Sequence, residues 1–272
     1  MFRSDGVNNR LDQPRNRVLL SFNVNGIRAA AGKGLAKYLA AQEADVICLQ
    51  ELRASEEDVP ADISSLPGYH AFWHCAERKG YSGVGLLSRR RPEQTVCGME
   101  DEQTHSEGRL LRADSGSLSI LSLYVPSGIT GPVRQEHKMR FLERLLRYLS
   151  DLKARGREVL ICGDFNIAHQ AIDLARPWAN ETTSGYLPEE RRWMDDLLAE
   201  GFVDTYRALV GPEPGHYTWW NNFKAARPRN LGWRLDYQIA TPATAQRAKR
   251  AAIDRSVLFS DHAPVTIDYE FP

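Results

Sequence analysis

Arg157–Asn166 reads REVLICGDFN, and it sets an unbroken apolar run, Val159 to Cys162, directly against Gly163, Asp164, Phe165 and Asn166. Four consecutive strand-forming residues with no polar alternate suit a strand covered on both faces. A carboxylate at the tip of such a strand has no packing use, because an unpaired buried ion costs several kcal/mol. Gly163 reads as the residue that lets the chain turn there. Asp164 and Asn166, two positions apart, fall on one side of an extended chain and would be presented together at a sheet rim. Gly-Asp is also an ordinary turn pair, and the stretch by itself leaves both readings open.

Working outward, the same pattern recurs. Val18–Asn25 is a strand closed by Gly26, and Asp45–Glu51 is a second buried strand that also ends in a carboxylate. Further strands are expected at 69–75, 83–88, 110–113 and 118–125, the last broken by Pro126 and Ser127-Gly128. The closing strands are expected at 216–220, 233–240 and 263–269. Helical spacing appears over 28–41, weakened at its start by Gly32 and Gly34. It is clearest over 132–155, where Phe141, Leu142, Leu145, Leu146 and Leu149 share one face and Arg140, Glu143, Arg144 and Arg147 the solvated one. A third helix is expected from Pro188 to Glu200, stopped by Gly201, after a loop over 173–185. Several strand-to-strand steps are too short for crossover helices. The pattern therefore predicts an α/β protein of two packed sheets flanked by helices, one domain over 17–272. Residues 1–16 are polar and unpatterned and are expected to be a disordered tail. A doubly wound parallel sheet is the second reading, disfavoured by the lack of a glycine-rich dinucleotide fingerprint.

Composition narrows the function. The 272 residues are 42% hydrophobic and 26% charged, as in an ordinary globular protein, and no run approaches the apolar length of a membrane helix. The four cysteines form no C-x-x-C pair and read as reduced packing residues of a cytoplasmic protein. Thirty-five basic residues balance thirty-five acidic ones, which excludes a polycationic DNA-coating protein but not a local basic face. There is no G-x-S-x-G elbow, H-E-x-x-H pair or P-loop.

Several strands end in polar groups of one kind: Asn23, Glu51, Tyr124, Asp164 with Asn166, Asp236, and Asp261 with His262. Side by side, these ends would converge on one rim. Carboxylates and amides are hard oxygen ligands that suit Mg²⁺, with Mn²⁺ as a substitute. Glu51 is the first candidate ligand, with Asn23 and Asp261 as helpers. His262 is the candidate for sharing a proton near neutrality, oriented by a carboxylate such as Asp236.

Eight segments in order carry a resemblance: SFNVNGIR (21–28), CLQE (48–51), YVPSG (124–128), GDFNIAH (163–169), YLPEER (186–191), YTWW (217–220), GWRLDY (232–237) and SDHAPV (260–265). Together they resemble the exonuclease III family of DNA-repair nucleases, which includes the abasic endonucleases. The resemblance implies a four-layer αββα sandwich and Mg²⁺-dependent hydrolysis of phosphodiesters in double-stranded DNA at abasic sites or at 3′-blocked or recessed ends. It makes Glu51 a metal ligand supported by Asn23 and Asp261, and Asp164 the residue that orients or deprotonates the attacking water. Asn166 then places that water, Tyr124 contacts the phosphate, and His262, held by Asp236, binds it. Trp219, Trp233 and Leu235 match an apolar pocket for an extrahelical sugar, and Lys224, Arg227 and Arg229 are candidate backbone-phosphate contacts.

Two departures stand out. Asn25 occupies a metal-shell position where many relatives carry aspartate, so the shell would hold one charge fewer. Ser127-Gly128-Ile129-Thr130 replaces an Asn and an inserting Arg found in some abasic endonucleases. The rival class is the catabolite repression control regulators, which are similar in their N-terminal wording and act without catalysis on RNA. The intact Glu51, GDFN and SDH set favours the enzyme. A monomer is expected, because no long apolar surface stripe is evident.

Overall fold

Leu160 and Cys162 lie on one face of their strand and Val159 and Ile161 on the other, and all four are buried in two different cores. That is why the run is apolar throughout. The chain, a computed structural model, is described over residues 15–99, 102–221 and 223–271. Among the described residues twelve strands form: β1 (Arg15–Asn23), β2 (Val46–Gln50), β3 (His70–His74), β4 (Val84–Ser88), β5 (Gln94–Cys97), β6 (Leu110–Ser115), β7 (Leu118–Tyr124), β8 (Glu158–Asp164), β9 (Val203–Asp204), β10 (Asp236–Ala240), β11 (Ala248–Ile253) and β12 (Val265–Phe271). The expected tail lies outside the described residues as far as residue 14. Arg15 and Asn16, counted in the expected tail, pair with Phe271 and Glu270 in β1.

The strands make two six-stranded sheets, ordered β11-β12-β1-β2-β4-β3 and β5-β6-β7-β8-β10-β9. Each has one parallel pair, β1 with β2 and β7 with β8, among otherwise antiparallel neighbours. Leu19, Cys48, Val84 and Ile267 of one sheet meet Leu111, Leu160, Cys162 and Ala240 of the other in the central layer. The outer face of the first sheet is covered by the helices Ile27–Ala31, Leu35–Ala41 and Ala61–Ser64. The outer face of the second is covered by Pro132–Ala154 and Pro188–Ala199. This is the four-layer sandwich. No described helix is long and apolar enough to cross a membrane.

This topology gathers the site. The carboxyl ends of both parallel pairs carry Asn23, Glu51, Tyr124 and Asp164, with Tyr124 opposite Asp164 in register. β10 runs antiparallel to β8, so its first residue, Asp236, also stands opposite Asp164. β12 runs antiparallel to β1, which brings the preceding Asp261 and His262 to the same end. Polar bonds between the sheets fix their relative register: Gln50 Nε2 donates to Ser122 Oγ at 3.2 Å, and Gln238 Nε2 to the Leu19 carbonyl at 3.0 Å.

Three expectations need correction. Gly163 does not turn the chain: it lies inside β8, where a Cβ would sit 2.0 Å from the Leu123 carbonyl oxygen. Close approach of β7, not conformational freedom, requires the glycine. The helix expected over 28–41 is two helices, because Gly34 adopts a left-handed φ of 99° between them. No strand forms over 216–220; Trp219 makes only isolated bridges to Trp233 and His262. The edge strands β5, β9 and β11 gave no signal, since edge strands lack the apolar run that betrays a buried one.

Candidate active site

Asp164 and His262 are the buried floor of a cavity of about 550 Å³. Asp164 is held on every side. Its Oδ1 accepts the Asn166 backbone N–H at 2.8 Å, and its Oδ2 accepts Asn23 Nδ2 at 2.8 Å. His262 Nδ1–H donates to Asp236 Oδ2 at 2.9 Å, and its Nε2 lies 3.8 Å from Asp164 Oδ2. Burial pushes the Asp164 carboxyl well up from its usual range, with the Asp236 charge adding to it, while His262 pulls it back. Burial opposes charging of His262, but Asp236 and then Asp164 outweigh it and raise the imidazole. The site is therefore built to keep an imidazolium next to a carboxyl that takes up a proton readily.

Glu51, Asn25, Asp261 and Tyr124 complete the floor. Asn25 Nδ2 donates to Asp261 Oδ1 at 2.7 Å, and Trp219 Nε1 to Asp261 Oδ2 at 3.0 Å. Asn25, Glu51 and Asn166 all have left-handed backbones, with φ of 46°, 58° and 51°. Glutamate has no local reason to adopt that conformation, which costs on the order of 1 kcal/mol or more. It is held by Gly26 N–H on the Glu51 carbonyl at 2.8 Å and by Leu52 N–H on the Gly83 carbonyl at 3.0 Å. Burial, followed by the Glu51 and Asp164 charges, pushes the Tyr124 phenol well above its ordinary range. It is a neutral donor at any physiological pH.

Trp219, Trp233 and Leu235 form one cavity wall, backed by Ala168, Leu174 and Tyr186. The two indoles meet edge to face, 6.2 Å apart at 82°. Trp220 is fully buried core.

A model of the Endonuclease/Exonuclease/phosphatase family matches residues 20–262. The chain belongs to this family. It is 36% identical over 250 residues to the exodeoxyribonuclease of Bacillus subtilis, covering 92% of this chain and 98% of the relative. It is likewise 36% identical over 254 residues to the DNA repair nuclease APEX1 of Danio rerio, covering 93% and 82% of the two chains. An AP endonuclease structure from Archaeoglobus fulgidus superposes with a TM-score of 0.83 at 31% identity, over 94% of this chain and 100% of that one. The exonuclease III and abasic endonuclease branch is thus the part of the family to which these likenesses point.

Members of this family are metal-dependent, and the residues present fit a cation. Glu51, Asp164, Asp236 and Asp261 crowd one cavity end, and the only cations paired with them among the described residues are Arg53, on Glu51, and His262. Asp164, Asp236 and His262 approach one another closely enough to hold an ion. Within this trio His262 Nδ1 is bonded to Asp236 Oδ2 at 2.9 Å and Asp164 accepts from Asn166 N–H and Asn23 Nδ2, while Asp236 Oδ1 is buried with no hydrogen-bond partner among the described residues. Glu51, Asn25 and Asp261 line the cavity together with Asp164, and they are the oxygen-bearing side chains outside the trio that could hold a cation there. Asn23 does not line it: its Oδ1 accepts the Asn25 N–H at 3.0 Å and its amide serves Asp164.

The family's basic groups came from unexpected places. Arg53, Arg78, Arg109 and Arg134 all line the cavity. The Tyr81 hydroxyl accepts from Arg109 at 2.5 Å and from Arg134 at 2.7 Å. These residues come from four separate segments, and only Arg53, two positions after Glu51, carried a positional signal. Of the expected phosphate contacts, none of Lys224, Arg227 and Arg229 lines the cavity. Arg227 is a correction: it is buried, donates to the Val257 and His262 carbonyls (the latter at 2.6 Å), and stacks 4.4 Å over Trp220. It holds the His262 backbone in place. Lys224 and Arg229 are exposed.

A second group unseen in the sequence lies behind the floor. Lys138 and Glu190 are both fully buried and paired at 2.6 Å, and Lys138 Nζ also donates to the Asn166 carbonyl at 2.7 Å. Glu190 accepts the Gly185 and Leu187 N–H groups at 2.7 and 2.9 Å. One ion pair thus ties the Asn166 turn to the cavity wall at Gly185.

Proposed function

We propose that this chain is a Mg²⁺-dependent DNA-repair phosphodiesterase. It acts as a monomer on double-stranded DNA at abasic sites or at 3′-blocked or recessed ends. The observation that carries the reading is the juxtaposition at one cavity: a buried Asp164 fixed by Asn166 and Asn23, beside a His262 backed by Asp236, with Arg53, Arg78 and Arg134 among the lining residues. Arg53, Arg78 and Arg134 reach solvent along this cavity, while Arg109 is buried on Glu107, and three guanidiniums around one cavity fit a polyanion better than a neutral substrate. The names of the relatives speak for the enzyme over the non-catalytic regulator.

In this reading Asp164 Oδ2 takes the proton of the attacking water, and Asn166 and Asn23 hold the carboxylate in the orientation that receives it. His262 presents Nε2 to a phosphate oxygen, and Asp236 keeps that ring aimed and charged through Nδ1. Tyr124 donates its phenolic hydrogen toward the phosphate. Glu51, Asn25 and Asp261 hold the Mg²⁺, which when bound neutralises charge on the phosphate oxygens. Trp219, Trp233 and Leu235 take the deoxyribose of a nucleotide turned out of the helix. A baseless sugar is the least costly to turn out, since nothing is unstacked.

Three duplexes test the proposal: one with an internal abasic site, one with a 3′-phosphate and one with a recessed 3′-hydroxyl, each with Mg²⁺ and with EDTA. Cleavage of at least one in Mg²⁺, abolished by EDTA, is expected. Failure on all three overturns the enzyme reading.

A further inference from the structure

Trp178 is 74% exposed, and its indole has no hydrogen-bond, ring or cation–π partner among the described residues. A single exposed indole is ordinary in itself, but here the backbone that carries it is fixed. The 3₁₀ turn Pro177–Ala179 is fixed by the Asn180 N–H on the Pro177 carbonyl at 3.0 Å and by Asn180 Nδ2 on the Arg176 carbonyl at 2.8 Å.

Both ends of this loop are anchored to the cavity wall. Leu174 bridges Trp233, and the Ala175 N–H donates to the Gly232 carbonyl at 3.0 Å. At the other end the Thr183 N–H bonds the Asn180 carbonyl at 2.9 Å, and Thr183, Ser184 and Gly185 line the cavity. Trp178 is three residues from Ala175, so its Cα lies within about 11 Å of that anchor. That is about three nucleotides of a stacked strand at 3.4 Å each. Arg176 beside it is exposed and has no ion pair among the described residues; Glu181 is the loop's one exposed carboxylate.

We propose that Trp178 is a stacking platform for a nucleobase of the bound strand. The occupant is a terminal or unpaired base, because a paired internal base has both faces covered. The proposal rests on the DNA reading above and adds a preference for frayed or unpaired ends. Stacking of a base on an aromatic side chain tolerates any sequence, so Trp178 adds affinity without base specificity.

The test measures binding, with Mg²⁺ withheld by EDTA, of two duplexes carrying a three-nucleotide unpaired 3′ tail. One tail bears bases and the other is built of abasic nucleotides. The wild type is expected to prefer the base-bearing tail by roughly 5- to 100-fold, the span of one base–aromatic stack. Trp178→Ala is expected to lose that preference and Trp178→Phe to keep most of it. A preference that survives in Trp178→Ala, or a wild type that binds both tails equally, overturns the platform. A wild type that binds neither duplex overturns the DNA reading itself.

Discussion

Removing Lys138 probes how the site is held. Its ammonium is fully buried between Glu190 Oε1 at 2.6 Å and the Asn166 carbonyl at 2.7 Å. Lys138→Met keeps the length of the side chain and removes both bonds. Losing one partner of a buried ion pair costs about 3–5 kcal/mol. Glu190 would keep its donors from Gly185, Leu187, Ser184 and Gln135, so the lower end, about 3 kcal/mol, is expected. For a chain of this size that is a fall in Tm of roughly 6–12 °C. Adding Glu190→Gln removes the stranded charge and leaves chiefly the lost hydrogen bond to Asn166, about 1 kcal/mol. The double variant should therefore be about 2 kcal/mol more stable than Lys138→Met alone. Urea unfolding of both single variants and the double measures this coupling. In the same proteins, well below their melting temperatures, kcat should fall about tenfold or more with Lys138→Met, because the Asn166 turn that caps Asp164 is loosened. Additive stabilities with an unchanged kcat would show that the pair neither couples the loops nor supports the floor.

Gly163→Ala should destabilise by about 3 kcal/mol or more, read by urea unfolding, since the added methyl meets the Leu123 carbonyl and neither strand can give way. Arg227→Ala should lower stability by about 2 kcal/mol or more through its lost carbonyl bonds and its lost stack on Trp220. The salt dependence of DNA binding should keep its slope in that variant, whereas Arg78→Ala should make it shallower. Glu107 is held down to about 2 by His137 and Arg109 against the opposing effect of burial. Its folded value lies below the ordinary one, so its contribution is present above about 4.5 and is lost as pH falls through 2. The stability gap between the wild type and Glu107→Gln should accordingly shrink over that window in acid unfolding.

What the sequence made legible was the strand ends. Asp164, Glu51, Asp236 and His262 each interrupt or follow an apolar run, and two parallel pairs put those interruptions at one pole. The buried cations were illegible for a physical reason. Lys138 sits on a helix among solvated arginines, and nothing in its spacing reveals that Glu190 waits 52 residues on to neutralise it. Arg227 looked like a surface cation because its partners are backbone carbonyls, which leave no trace in composition. The cavity arginines come from three loops and the first turn of the helix Pro132–Ala154, and so they have no period. Gly163 was read as a turn because glycine's freedom is the commoner cause, but here the missing Cβ is what matters. The turn itself falls at Asn166, where asparagine tolerates a left-handed backbone.

The most direct test of the central claim is the single-turnover cleavage rate of bound DNA by Asp164→Asn. An amide there keeps one acceptor oxygen, facing either the Asn166 N–H or the Nδ2 groups of Asn23 and Asn166, and cannot take a proton from water. In Mg²⁺ the rate should fall by about 10²–10⁴, with DNA affinity held within a few-fold. A rate within about threefold of the wild type would contradict the assignment of Asp164 as the residue that activates the water.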